Sequence, residues 1–310
     1  MALDSNTIKF LFWAKSLGLS LERTMTLGRQ DFACSPHQLR RMLRNFGVPG
    51  TKEQISRCFQ HPPFTRLYAD EFLRFLGADE PVSVDYSDFE GATLLHDLNQ
   101  PFPENLRKSF DLVLDVGTLE HIFNYPAALS HCLELVKVGG HFVTITPANN
   151  FMGHGFYQFS PELFFRVFSP ENGFALRRIV LHEAFRADAD FYEVKDPAGT
   201  GLRTELALAK PMELAVLAQR TSEVPLLTHP PQQSDYAAIW QRRMGKTNKS
   251  EALPSGLIWR VRLAVNRYWP EWLKRWKNRL LYRREHGRPT LRNRRHFRRL
   301  SREEIFRARP

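Results

Sequence analysis

The stretch Phe110-Asp-Leu-Val-Leu-Asp-Val-Gly-Thr-Leu-Glu-His121 decides the fold. Phe110 to Val116 form a short apolar run that turn-forming Gly117 closes. Such a run reads as a parallel strand buried on both faces, because a half-exposed strand would alternate apolar and polar. Three similar runs precede it: Thr24–Leu27 before Gly28, Pro81–Asp85, and Ala92–Asp97. A fifth, His141–Thr146, follows and is expected to end at Pro147. Helical patterns fall between them. Ser35 and Pro36 supply a cap and a first-turn proline, and Leu39, Met42, Leu43 and Phe46 then repeat at helical spacing up to Gly47. Pro126–Val138 carries Ala128, Leu129, Cys132 and Leu133 and is expected to stop at Gly139-Gly140. A third helix starts at Ser160-Pro161. Strand alternating with helix predicts an α/β chain with a doubly wound, mostly parallel sheet. Phe174–Leu181 and Met212–Leu217 are expected as the last strands, paired as an antiparallel hairpin at the edge.

The chain has 310 residues and a net charge of +11, but the charge is uneven. Residues 251–310 hold 18 Lys/Arg against 5 Asp/Glu, while the rest holds 26 against 28. The body is near neutral, so an acidic partner is implied for the tail alone. The expected organisation is a catalytic-type domain over 1–220, a linker over 221–250 and a basic amphipathic tail over 251–310, with 285–310 disordered. Three well-separated cysteines, Cys34, Cys58 and Cys132, argue against a zinc site or a disulfide framework. They fit a reducing, cytoplasmic compartment. The N-terminal apolar patch around Phe10–Trp13 is broken by Lys9 and Lys15 and reads as no signal peptide, and no run reaches bilayer-spanning length.

In an open α/β sheet, ligands bind beyond the carboxyl ends of the strands. Asp85 follows the second strand, His96-Asp97-Leu98-Asn99 the third, Asp115 to His121 the fourth, and Pro147 to Asn150 the fifth. A carboxylate there can accept hydrogen bonds from both hydroxyls of a ribose. Asp85 also fits a plain turn cap. Gly153-His154-Gly155 with Tyr157 forms a bendable loop after the fifth strand, placing an imidazole and a phenol at the same edge. His154 or His121 is a candidate general base, and Tyr157 a candidate donor to a substrate oxygen. A surface histidine in a glycine-rich loop is the plainer alternative.

The Asp115-x-x-x-x-Glu120-His121 segment, followed by Leu135-Val-Lys-Val-Gly-Gly140, resembles the class I S-adenosylmethionine (SAM) dependent methyltransferases, in their type 11 or type 23-like branch. The resemblance covers residues 20 to 220 and implies a Rossmann-like doubly wound fold with a basic helical C-terminal extension. It also implies SAM as cofactor. Asp85 would hold the ribose, and Asp97 with Leu98 the adenine. Asp115, Gly117, Thr118 and Glu120 would lie at the methionine end or the substrate. The family's glycine-rich turn after the first strand is degenerate here: Leu27-Gly28-Arg29-Gln30 keeps one glycine. Arg29 and Gln30 stand where side chains obstruct the cofactor or take over its polar contacts. The stretch from the first strand to the second is long, and an insertion over Gly50–Tyr68 is read as a cover.

The implied activity is methyl transfer from SAM to an oxygen or nitrogen of a small molecule or glycan, including a lipid-linked one. Two alternatives stay open: a non-catalytic binding or scaffold protein with this fold, and a nucleic-acid-modifying methyltransferase. No metal site is expected, since the histidines lack ligand spacing. In the tail, Trp272, Trp276 and Leu280 stand at i, i+4 and i+8 among Lys274, Arg275, Lys277, Arg279, Arg283 and Arg284. That pattern suits an anionic membrane surface, here the inner face, or an ordinary packed helix; phosphate neutralisation in nucleic acid is a third reading. An earlier apolar run, Ile258–Trp269, precedes it.

Overall fold

The computed structural model describes residues 2–60, 66–228, 231–237, 240 and 269–307. The polar stretch 242–250 and nearly all of the apolar run 258–269 lie outside them. The chain divides into two compact units: Met1–Val194 with Leu208–Pro231 and Arg298–Pro310, and Lys195–Ala207 with Gln232–Phe297.

The strands are β1 (Ala2–Asp4), β2 (Thr24–Leu27), β3 (Asp31–Ala33), β4 (Val82–Asp85), β5 (Leu94–Leu95), β6 (Phe110–Val116), β7 (Val136–Asn149), β8 (Phe174–Glu183), β9 (Tyr192–Val194), β10 (Met212–Arg220) and β11 (Phe297–Arg299). Nine of them form one sheet in the order β11-β9-β8-β10-β7-β6-β2-β4-β5, and β1 pairs with β3 apart from it. β2 is parallel to β4 on one side and to β6 on the other. The chain therefore winds outward from β2 to β4 and β5, then returns to build β6 and β7 on the opposite side. This is the expected Rossmann-like doubly wound, mostly parallel sheet, and its topological switch point lies between β2 and β6.

The expected antiparallel pair β8–β10 forms, but not as an edge hairpin. β10 inserts between β7 and β8, antiparallel to both, and β9 and β11 extend the sheet beyond β8. β7 also runs past Pro147 to Asn149. Its pairing with β6 ends at Ile145, so the missing proline N–H falls where no parallel neighbour needs it. Gly139-Gly140 lie inside β7, in a register shift where Phe110 faces Val136 and Leu112 faces His141.

Up to residue 194 the helices of the first unit are α1 (Ser5–Ser16), α2 (Pro36–Phe46), α3 (Lys52–Arg57), α4 (Asp70–Leu76), α5 (Tyr125–Leu135) and α6 (Pro161–Val167). Ser35 and Gln38 form a reciprocal capping box on α2, and left-handed Gly47 ends it. Side chains alternate across the sheet, as the two-residue period of a strand requires. Leu112, Leu114 and Val116 of β6 pack in one cluster with α1, α2 and α4. α5 and α6 pack against β6, β7 and β8, with Phe142 against Phe168. Residues 5–14 of α1 are all buried, including Lys9, whose ammonium donates to the Ala189 carbonyl at 2.5 Å and sits over the Phe191 ring.

The second unit holds α7 (Pro197–Thr200), capped by Asp196, and α8 (Glu271–His286). On α8, Trp272, Trp276 and Leu280 are exposed. Part of the segment expected to be disordered is ordered instead. From Arg298 onward the segment, with α9 (Arg302–Phe306), belongs to the first unit, where Leu300 and Ile305 are removed from water among the arginines. No helix among the described residues is long and apolar enough to cross a membrane.

Candidate active site

The site is assembled from the loops that leave the carboxyl ends of β2, β4, β6 and β7. Gly28 follows β2 with φ +72, and its N–H donates to the Val84 carbonyl at 2.7 Å. A Cβ there would come within 3.1 Å of the Thr118 hydroxyl oxygen, 3.5 Å of Gln30 Nε2 and 3.9 Å of Asp85 Oδ2. Gly28, Asp85 and Thr118 thus meet at the switch point, as their positions in the sequence predict. Thr118 donates its hydroxyl to the Leu27 carbonyl at 2.7 Å.

Gln30 and Arg29 part company. Gln30 is buried, and its amide donates to the same Leu27 carbonyl at 2.6 Å, so it lies beside Gly28 as expected. Arg29 turns into a strap made by residues 68–70 and the loop after β4. Its guanidinium donates to the Glu90 and Gly91 carbonyls, pairs with Asp70 and stacks 4.1 Å over Tyr68. Asp31 bridges Tyr68, and Phe32 N–H donates to the Leu67 carbonyl. Residues 66–70 therefore lie along the loop after β2.

Two predicted cofactor contacts are occupied within the chain. Asp115 is buried; its Oδ1 accepts from the Thr118 and Leu119 N–H groups at 2.9 and 3.3 Å, and its Oδ2 from the Thr144 hydroxyl at 2.8 Å. It caps the turn that Gly117, at φ +73, makes possible. Burial raises its carboxyl pKa against those three bonds. Asp97 Oδ1 accepts from both the backbone and the side-chain amide of Asn99, which lowers its pKa. Leu98 is buried beside it.

Glu120 has no exposed surface, and neither of its carboxylate oxygens has a hydrogen-bond partner. Burial first, and the charge of Asp115 second, raise its pKa. His154 Nε2 stands 3.5 Å from Glu120 Oε1. The rings of His121 and His154 are 5.0 Å apart, and ligand-type atoms of Glu120, His121 and His154 all lie within 4.8 Å of one another. Residues 120 and 121 are adjacent and 154 is distant in sequence, so no spacing motif announces this grouping, and only the fold joins them. Burial, then His154, lower the His121 pKa. Tyr157 reaches the same loop, but its hydroxyl donates to the Phe123 carbonyl at 2.6 Å and so braces the loop rather than offering its proton to a substrate.

Gly155 makes the loop's close approach feasible. Its φ is +70, and a Cβ would meet the Glu120 carbonyl oxygen at 2.9 Å and Glu120 Cγ at 3.0 Å. The next N–H, of Phe156, donates to that carbonyl at 2.8 Å. On the same edge Tyr86, Phe89, Phe123, Met152, Phe156 and Phe185 are exposed, and sequence reasoning did not single them out.

No protein-family model matches the chain, and no curated protein matches it. Solved structures similar to it include the N-methyltransferase NodS from Bradyrhizobium japonicum in complex with S-adenosyl-L-homocysteine. That match has 13% identity and a TM-score of 0.38, and covers 71% of this chain and 91% of that one. The Burkholderia thailandensis 1,6-didemethyltoxoflavin-N1-methyltransferase, with 1,6-didemethyltoxoflavin and S-adenosylhomocysteine bound, matches at 12% identity and a TM-score of 0.36, over 70% and 78%. The methyltransferase CalH matches at 11% and 0.35, over 70% of this chain but only 57% of that one.

Proposed function

We propose that the protein is a SAM-dependent methyltransferase acting on a hydroxyl or amine of a small molecule or glycan. One observation carries the reading: Gly28, Thr118 and Asp85 converge at the switch point, where a Cβ on Gly28 would crowd the Thr118 hydroxyl at 3.1 Å. A glycine cradle beside a carboxylate suits a ligand with a ribose and a compact polar end. Asp85 would accept from the ribose hydroxyls, the Asp97–Leu98 turn would flank the adenine, and the turn Gly117–Thr118 would face the methionine end. Bound SAM supplies an electrophilic methyl carbon. The chain's own contribution is orientation of the acceptor and disposal of its proton. The cluster Glu120–His121–His154 is assigned to easing the loss of that proton from the acceptor, with Asp115 holding the turn beneath it.

The exposed apolar side chains on this edge support an acceptor with an apolar portion. The exposed tryptophans of α8, set among basic residues, support docking of that helix on an anionic membrane. Equilibrium dialysis of the full chain against labelled SAM tests the reading. Saturable binding, weakened at least tenfold by Asp85→Ala, is expected; no binding at millimolar SAM would favour the scaffold alternative, in which buried Gln30 seals the Gly28 turn.

A further inference from the structure

We infer that Glu120, His121 and His154 hold a divalent transition-metal ion, a site that rests on the methyltransferase reading only for its purpose and not for its existence. Three features point to it. First, the donor set is right. Two imidazoles and one carboxylate are a common facial set for zinc, iron(II) or manganese, and leave positions open for an exogenous ligand. Second, the distances are close to what an ion needs. Bonds of about 2.0–2.2 Å to three ligands put the donor atoms about 3–3.5 Å apart. His154 Nε2 and Glu120 Oε1 already stand 3.5 Å apart, and all three donors fall within 4.8 Å. Third, the Glu120 carboxylate is fully buried with both oxygens unpartnered by hydrogen bonds. Burying a carboxylate is costly unless it is paired or coordinates a metal. No Lys or Arg reaches it among the described ion pairs.

The loop is built to serve this grouping. Gly155 and the Phe156 N–H press the segment after His154 onto the Glu120 backbone, so the imidazole is delivered to the carboxylate by backbone geometry. His121 is exposed, which leaves the cluster open to solvent on its side. An acceptor oxygen can therefore reach the ion. A cation there polarises an acceptor hydroxyl. Its proton leaves to solvent as the oxygen–carbon bond forms, and the electron pair of the carbon–sulfur bond stays on sulfur.

The test is titration of the chelator-treated full chain with cobalt(II), read by its visible absorption and by metal content after desalting. One equivalent with a low-symmetry spectrum is expected, displaced by zinc. His154→Ala should abolish the spectrum, and Glu120→Gln, which keeps shape and removes charge, should weaken binding by roughly 10–100-fold or more. His37→Ala, an exposed histidine on α2, should bind like the parent. Circular dichroism confirms that each variant folds. Substoichiometric cobalt, or a spectrum that survives both His154→Ala and Glu120→Gln, overturns the site. S-adenosylhomocysteine binding is measured in parallel. Cobalt binding without it upholds the metal site and defeats the methyltransferase reading, whereas the converse overturns the metal site alone.

Discussion

His154 Nε2 lies 3.5 Å from Glu120 Oε1, and the residue after that histidine, Gly155, packs directly against the Glu120 backbone. The imidazole is therefore positioned by the main chain. Gly155→Ala puts a Cβ at φ +70 against the Glu120 carbonyl, at a cost of about 1–2 kcal/mol from the backbone conformation alone. Thermal unfolding should show at least that loss, because the Cβ also crowds the Glu120 carbonyl oxygen at 2.9 Å. Any activity that depends on His154 should fall much further, since a displacement of about 1 Å can cost a hundredfold. Equal turnover in parent and variant would contradict the positioning.

Asp115 is read as a structural cap, and two substitutions separate that role from a charge requirement. Asp115→Ala strands the Thr118 and Leu119 N–H groups and should cost about 2–4 kcal/mol. Asp115→Asn keeps an acceptor for those groups and lets its amide donate to the Thr144 hydroxyl, so denaturant unfolding should show a loss below about 1 kcal/mol. Equal losses would mean that the charge itself is needed.

What the sequence disclosed follows from where the information lies. β6 was legible because its apolar run ends in a turn residue, and α2 because its cap, first proline and closing glycine are local. α1 was not legible. Its polar residues are satisfied far along the chain: Asn6 donates to the Arg186 carbonyl and accepts from the Ala189 N–H. The three-residue strands β1 and β3 are too short to show a period. In the site, Gly28, Asp85, Thr118, His121 and His154 fell where strand ends predicted. The grouping of Glu120 with both histidines is tertiary, and so is the diversion of Arg29 into the strap by Asp70, Glu90 and Tyr68.

Glu213 on β10 gives a pH signature. Burial first, then the charge of Asp4, push its carboxyl up to about 7. A raised pKa means that the folded state holds a proton which the unfolded state has lost above about pH 4.5. Its stabilisation is therefore full below that pH and disappears as pH rises through about 7. His182, 3.9 Å away, is pushed by burial down to about 4 and has the opposite slope up to about pH 6.5. Comparing the parent with Glu213→Gln isolates the glutamate. Between pH 5 and 8 the parent should lose about 1–3 kcal/mol relative to the variant in urea unfolding. Parallel profiles would show that Glu213 titrates normally.

The stripe on α8 makes a separate prediction. Full-length protein should sediment with phosphatidylglycerol vesicles and much less with phosphatidylcholine ones, and Trp272→Ala with Trp276→Ala should release it. Binding to vesicles that survives the double substitution would exclude this face. Strongly salt-dependent binding to nucleic acid in place of vesicles would favour the third reading of the tail.

A nucleoside site at the switch point is tested most directly by thermal unfolding of the full chain with S-adenosylhomocysteine. The full chain is required, because Leu300 and Ile305 are buried in the first unit. At about 100 times its dissociation constant the ligand should add about 2.7 kcal/mol. For a unit of this size each kcal/mol moves the midpoint by about 2–4 °C, so a shift of several degrees is predicted, lost in Asp85→Ala. An unmoved midpoint at millimolar ligand, in a parent that folds normally, would contradict the account.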